Sequence, residues 1–465
     1  SSFACNINFG GTNDGYATQY LGLYEHQGLD ANGVVYFKHA TMEFFMYLED
    51  GGEWWYVGPT LGSTVGWWVG LHVTNSPADV VTWQVWSGTE YVDQPNVTVT
   101  GVTGADGGGA YPPECWVYTP DPTSSPVPTM TANPTDARIF VKNDAMVRDA
   151  VEGAASNDNI VVKNDIALTD TLWFPEGLVG VALRGDEPGI TLAGNGTFLL
   201  IDLYGSTEVI LEDLILTGGY SEYGGAMLVG SGAVVWVRRC TLSLNRAYDA
   251  GGAVYIEANV VATFEDSLFE LNEAVTGPGG AMYLYSNSRA TILRTTFTKN
   301  KAGASGGGVG FSLNRPSKVD PSIVEDCLFD LNNATLTGGG MDVNSRFTTV
   351  HVSTTRFHHN YAGQRGGAVS GSADAVITVT DSIMANNAAG DAGGSAYATA
   401  TSLTFDNVSV TDSVAGRAGG GVAITGDTSA GAFKSTSFRR CNASAIGGAV
   451  AAWSNVPELT IEGGA

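Results

Sequence analysis

Gly251-Gly-Ala-Val-Tyr-Ile-Glu-Ala-Asn-Val-Val-Ala-Thr-Phe-Glu-Asp-Ser-Leu-Phe-Glu-Leu-Asn272 holds two phrases, Gly-Gly-Ala-Val at its start and Phe269-Glu-Leu-Asn at its end. Both return through the second half of the chain. The Gly pair opens at Gly224, Gly251, Gly279, Gly306, Gly338, Gly366, Gly393, Gly419 and Gly447, at intervals of 26 to 28 residues except one of 32. The third residue after each first Gly is apolar throughout, from Met227 and Val254 to Val450. The residue two further on is Val229, Ile256, Leu284, Phe311 or a smaller residue, so one strand face points inward at period two.

The second phrase ends on Asn245, Asn272, Asn300, Asn332, Asn360 and Asn387, then decays to Ser413 and Cys441. Each Asn stands six residues before the next Gly pair, apart from seven after Asn272. Two phrases that keep their mutual phase over eight repeats specify a coil of stacked turns. Equivalent residues then lie about 4.8 Å apart along the axis, so a Phe column stacks in the core and an Asn column chains its amides from turn to turn. Gly and Asn also suit left-handed corner positions. The expected fold is all-β: a right-handed parallel β-helix of about 12–13 rungs, on the order of 60 Å long. The long interval before Gly338 is accounted for by a loop at 312–321, an insertion of the kind solenoids use for binding.

Outward from the repeats, residues 137–465 read as the solenoid, regular from 218. Asn143 followed by Val147, Ala150, Val151 and Ala154 at helical spacing predicts a capping helix near 144–155. By the phasing, Ala465 stops one residue short of the next aromatic slot, which predicts a chain continuing past 465 or an end covered by another subunit. Residues 111–136 read as a Pro/Ser/Thr-rich linker. Residues 1–110 read as a small Trp-rich all-β domain, with aromatic strands separated by Gly-bearing turns.

Composition narrows the function. Asp and Glu exceed Lys and Arg by 25, which disfavours nucleic acid and anionic membranes while allowing loosely held Ca2+. No apolar run is long enough to span a bilayer as a helix. The start at Ser1 fits a processed secretory product, so an extracellular or cell-surface location is expected. Of five cysteines, Cys5 and Cys115 bracket the first domain and are expected to form a disulfide. Cys240 and Cys327 share a repeat slot three rungs apart, beyond disulfide reach, and read as buried thiols.

The paired phrases Gly251-Gly-Ala-Val and Phe269-Glu-Leu-Asn resemble the polymorphic outer membrane protein repeats of chlamydial surface adhesins, over about residues 218–451. The resemblance implies a secreted or surface-exposed pectin-lyase-like β-helix used for adhesion or scaffolding, not for catalysis. That bacterial family carries a C-terminal membrane barrel, which this chain does not show within its length. The Trp-rich domain and Pro/Thr spacer look more like secreted surface glycoproteins of algae.

Candidate chemistry is sparse. Asn-Thr-Asp, Asp-Asp, Gly-His-Gly and Arg-Ile-Lys, the polygalacturonase signatures, do not occur. The column Arg239, Asp266, Arg294, Asp326, Thr354, Asp381 alternates in sign on successive rungs and reads as a salt-bridge ladder at an exposed corner. His351, His358 and His359 read as solvated or corner residues, and Arg184-Gly-Asp as a turn. Trp54, Trp67 and Trp83 are candidate glycan contacts, weighed against simple packing. N-glycosylation sequons stand at Asn96, Asn195, Asn333, Asn407 and Asn442. No catalytic residue, metal site or required cofactor is expected, and the protein reads as a non-enzyme. The leading expectation is a secreted structural protein, a rod-like subunit of a filament or coat such as an algal flagellar hair (mastigoneme) or wall layer. It would associate with itself or with other extracellular structural subunits. A glycan-binding adhesin comes second, and a polysaccharide lyase or glycoside hydrolase third.

Overall fold

The computed structural model describes residues 137–312, 321–346, 348–454 and 456–462, together with the backbone of nine strands between Cys5 and Thr103. The chain divides into two compact units. In the first, the nine strands form one antiparallel sheet of consecutive neighbours, closed on one side by the pairing of Cys5–Gly11 with Val97–Thr103. The linker, the expected Cys5–Cys115 disulfide and most of the 312–321 loop lie outside the described residues.

The second unit is a right-handed parallel β-solenoid. Its longest sheet has 13 strands, from Arg138–Val141 to Glu458–Glu462. A second and a third sheet have 11 strands each, and a fourth has nine short ones, from Tyr220–Tyr223 to Asn442–Ala443. Eleven turns are therefore complete, fewer than the 12–13 expected, because Arg138–Val141 and Glu458–Glu462 each add a strand to the long sheet alone. After Arg138–Val141 the place of the other strands is taken by the helix Asp144–Glu152. Asn143 caps it, its Oδ1 accepting from Met146 N at 3.0 Å, and Val147 and Val151 are buried against the first rung.

The repeat phrases become columns. Phe269, Phe297, Phe329 and Phe357 pair in register and stack with ring centroids 4.8 Å apart and planes within 14° of parallel. That spacing is the inter-strand distance itself, so the rings stack because the backbone does. Beside them the Asn side chains are fully buried. Asn272 Nδ2 donates to Asn300 Oδ1 at 3.0 Å and to the Leu242 carbonyl at 2.8 Å. Asn300 repeats the pattern to Asn332 and Phe269, and Asn332 to Asn360 and Phe297.

The left-handed residue at this corner is not the Asn, as the sequence suggested, but the residue before it. Leu244, Leu271, Lys299, Leu331, His359 and Asn386 have φ between 53° and 57°. Asn is placed by its amide, which satisfies a buried carbonyl and the next rung together, and not by backbone tolerance. At the opposite corner both glycines are needed, for different reasons. Gly251 has φ +66°, whereas a Cβ on Gly252 would lie 2.0 Å from the Gly280 carbonyl oxygen of the next rung.

The slot that Cys240 and Cys327 share is a column of its own, and both are buried free thiols, as expected. Cys240, Ser267, Thr295, Cys327, Thr355 and Ser382 occupy one slot, and the hydroxyls accept from the backbone N–H one rung back: Cys240 N to Ser267 Oγ at 3.2 Å, Thr355 N to Ser382 Oγ at 3.1 Å. Small polar side chains fit there, and Cys is the member that cannot complete this bond well. Burial pushes both thiols up to about 12. Native protein is expected to leave Cys240 and Cys327 unreacted with a thiol reagent at pH 8 for hours, with both titrating after unfolding. Rapid labelling of either in the folded state would show that this slot opens.

Candidate saccharide-binding face

The corner column carries left-handed backbone at every position, with φ from 46° to 53° between Arg239 and Asp381. Its charges meet their neighbours. Arg239 Nε donates to Asp213 Oδ1 at 2.8 Å, and Arg294 Nε donates to Asp266 Oδ1 at 2.7 Å and its Nη2 to Glu265. Arg417 pairs with Asp391 and Arg440 with Asp412 in the same cross-rung way on other columns. Solvent screens these exposed pairs, so each contributes little, and among the described residues they leave no convergent set of carboxylates. Among the described residues no group of three or more His, Cys, Asp or Glu could hold a metal ion.

The remaining candidates are dispersed. Burial lowers the basicity of His351 and His358, and His359 Nδ1 lies 3.1 Å from Asp330 at a left-handed corner. Arg184 and Gly185 lie in a strand and not a turn; Arg184 faces Glu212 at 3.4 Å and Asp186 is bonded to Lys163. Asn195, Asn333, Asn407 and Asn442 are all exposed, Asn407 donating to Asp381 and Asn195 accepting from Thr197. Asn96 and the side chains of Trp54, Trp67 and Trp83 lie outside the described residues.

What the structure gathers is a face that the sequence reading missed. Strands of the third sheet alternate core and surface, and their central outward positions run Trp173, Asp202, Leu228, Tyr255, Tyr283, Gly310, Asp342 in register. Tyr223, Tyr255 and Tyr283 lie ring against ring at 4.8 and 5.7 Å. Tyr283 covers Gly310, where a Cβ would come within 2.9 Å of the ring. Trp173 is 50% exposed and Tyr204 64%. Reading the outward residues at the repeat period would have shown this column, but Trp173 and Asp202 precede the regular phrases that supply the register.

Carboxylates sit within this aromatic row. Asp342 accepts from Thr337 Oγ1 at 2.7 Å, yet burial pushes its carboxyl up to about 6. Asp202 is also pushed up to about 6, by burial and then by the nearby Glu257, whose Oε2 is held by the Ser231 N–H and hydroxyl at 3.0 Å. A carboxyl raised in the folded state contributes stability below its unfolded value near 4 and loses it as pH rises through 6. Asp342→Asn is therefore expected to gain about 2 kcal/mol on the wild type between pH 4 and pH 7 in urea titrations. A difference that stays flat over that range would mean that Asp342 ionises normally.

Aromatic faces beside acceptor groups suit a ligand with an apolar ring face and hydroxyl donors. A family model described as right handed beta helix region matches residues 189–357. No curated protein matches the chain. The crystal structure of PfbA, a surface adhesin of Streptococcus pneumoniae, is similar at 13% identity, covering 65% of this chain and 87% of that chain, with a TM-score of 0.35; a likeness of that size carries no function with it.

Proposed function

We propose that the protein is a secreted, non-catalytic structural protein whose solenoid serves as a stiff subunit of an extracellular filament or surface coat. The observation that supports this is the use of surface charge. The corner arginines and acids are matched across rungs, Arg239 to Asp213, Arg294 to Asp266 and Arg440 to Asp412, so they brace the coil and do not converge on a bound group. The mastigoneme-like or wall-layer setting, glycosylation at the exposed sequons, and association through copies of itself or other structural subunits belong to the same proposal. Electron micrographs of the full chain at rising concentration, with and without Ca2+, are expected to show ordered polymers with one repeating contact. Particles that stay monomeric throughout would remove the filament reading.

A second reading, a cell-surface adhesin that binds glycans, is favoured by the aromatic and acidic face on the third sheet. Glycan-array binding by the full chain tests it, and an array without a retained glycan would end it.

A further inference from the structure

We propose that Asp202, with Trp173 and Tyr204, forms a subsite for a neutral hexopyranose ring of a glycan; this deepens the adhesin reading and rests on it. Ile201 and Leu203 are fully buried in the core, so Asp202 between them faces the outer side of the third sheet. It is 6% exposed. It accepts no hydrogen bond and meets no cation among the described residues, and the one charge acting on it is the like charge of Glu257. Asp342, in the same outward column, shows how the fold treats a structural carboxylate: it gives it the Thr337 hydroxyl. The chain gives this carboxylate no donor of its own and leaves its oxygens open on the outer face, so it is placed to accept from a molecule outside the chain.

The surroundings indicate what that donor belongs to. Trp173 is the register partner of Asp202 on the preceding rung, about 4.8 Å away along the axis, and is half-exposed beside it. Tyr204 stands two residues further along the same strand direction and is exposed. An indole on the same face as an unpartnered acceptor, with an exposed phenol at the strand's end, matches a pyranose, whose C–H face lies on a ring while a hydroxyl donates to the carboxylate. Glu257, fixed by Ser231, adds a second negative charge nearby. Uronates and sulfated sugars are repelled by that field, so the ligand is a neutral glycan.

The test is titration of the full chain with neutral hexose oligosaccharides, glucose-based and galactose-based, and with polygalacturonate, followed by intrinsic tryptophan fluorescence and calorimetry. Wild type is expected to bind a neutral oligosaccharide and not polygalacturonate. Asp202→Asn, which keeps the shape, and Trp173→Ala, at a half-exposed position, are each expected to weaken binding about tenfold or more, with unchanged circular dichroism. Neutral-glycan binding that both variants retain in full would overturn the subsite and leave the adhesin reading standing, with the glycan held elsewhere. Equal binding of polygalacturonate would overturn the assignment of a neutral ligand. No binding by wild type to these oligosaccharides or to a glycan array would overturn subsite and adhesin reading together.

Discussion

Asn300→Leu is expected to destabilise the solenoid by about 3–5 kcal/mol, although the substitution is close in volume and more apolar. The Asn300 amide is the centre of four buried bonds. Its Nδ2 donates to Asn332 Oδ1 at 3.0 Å and to the Phe269 carbonyl at 2.9 Å, and its Oδ1 accepts from Asn272 N and Nδ2, both at 3.0 Å. Leucine leaves the Asn272 backbone N–H, one Asn272 amide proton and the Phe269 carbonyl short of partners, each costing about 1–3 kcal/mol in a buried position. Hydrophobic gain cannot offset this, because the slot is built of polar backbone. Urea unfolding followed by circular dichroism gives the comparison, and a loss below about 1 kcal/mol would show that the ladder is dispensable.

Gly280→Ala is expected to be worse, at roughly 4 kcal/mol or more or with no soluble product, although it adds one methyl group. A Cβ there would meet the Gly307 carbonyl oxygen at 2.2 Å and the Lys301 backbone at 2.6 Å. Neither atom can swing aside, since both belong to the next rung's ladder. Gly196→Ala separates this clash from backbone strain. Gly196 has φ +80° with nothing within 4 Å of a Cβ, so it bears only the left-handed cost of about 1–2 kcal/mol. Equal losses at the two positions would mean that the rungs do not approach as closely as described.

These two residues also mark how far the sequence could be read. Asn300 and Gly280 belong to phrases that repeat in phase, and a phase shared by eight repeats gives the coil, its core columns and its corners. Finer features escaped where the determinant is geometric and leaves no residue signature. The left-handed corner falls on Leu244, Leu271 and Leu331, which no propensity would nominate. The fourth sheet is built from strands of mostly two residues, such as Glu273–Ala274, too short to show alternation. The aromatic face was hidden for another reason: Trp173, Asp202 and Tyr255 are scattered over more than 80 positions and become neighbours only through the strand register.

The Asn column has a sense of direction as well as a location. Every side-chain carbonyl from Asn272 to Asn387 accepts from the preceding rung, and every amide from Asn245 to Asn360 hands a proton to the following one. The row is therefore polarised end to end, much as a helix is, but inside the core and at right angles to the strands. Each amide sharpens the charge on the next, so bonds in the middle are stronger than bonds at the ends. Two substitutions on adjacent rungs should then cost less together than the sum of the two apart, because the first has already broken the row that the second would break.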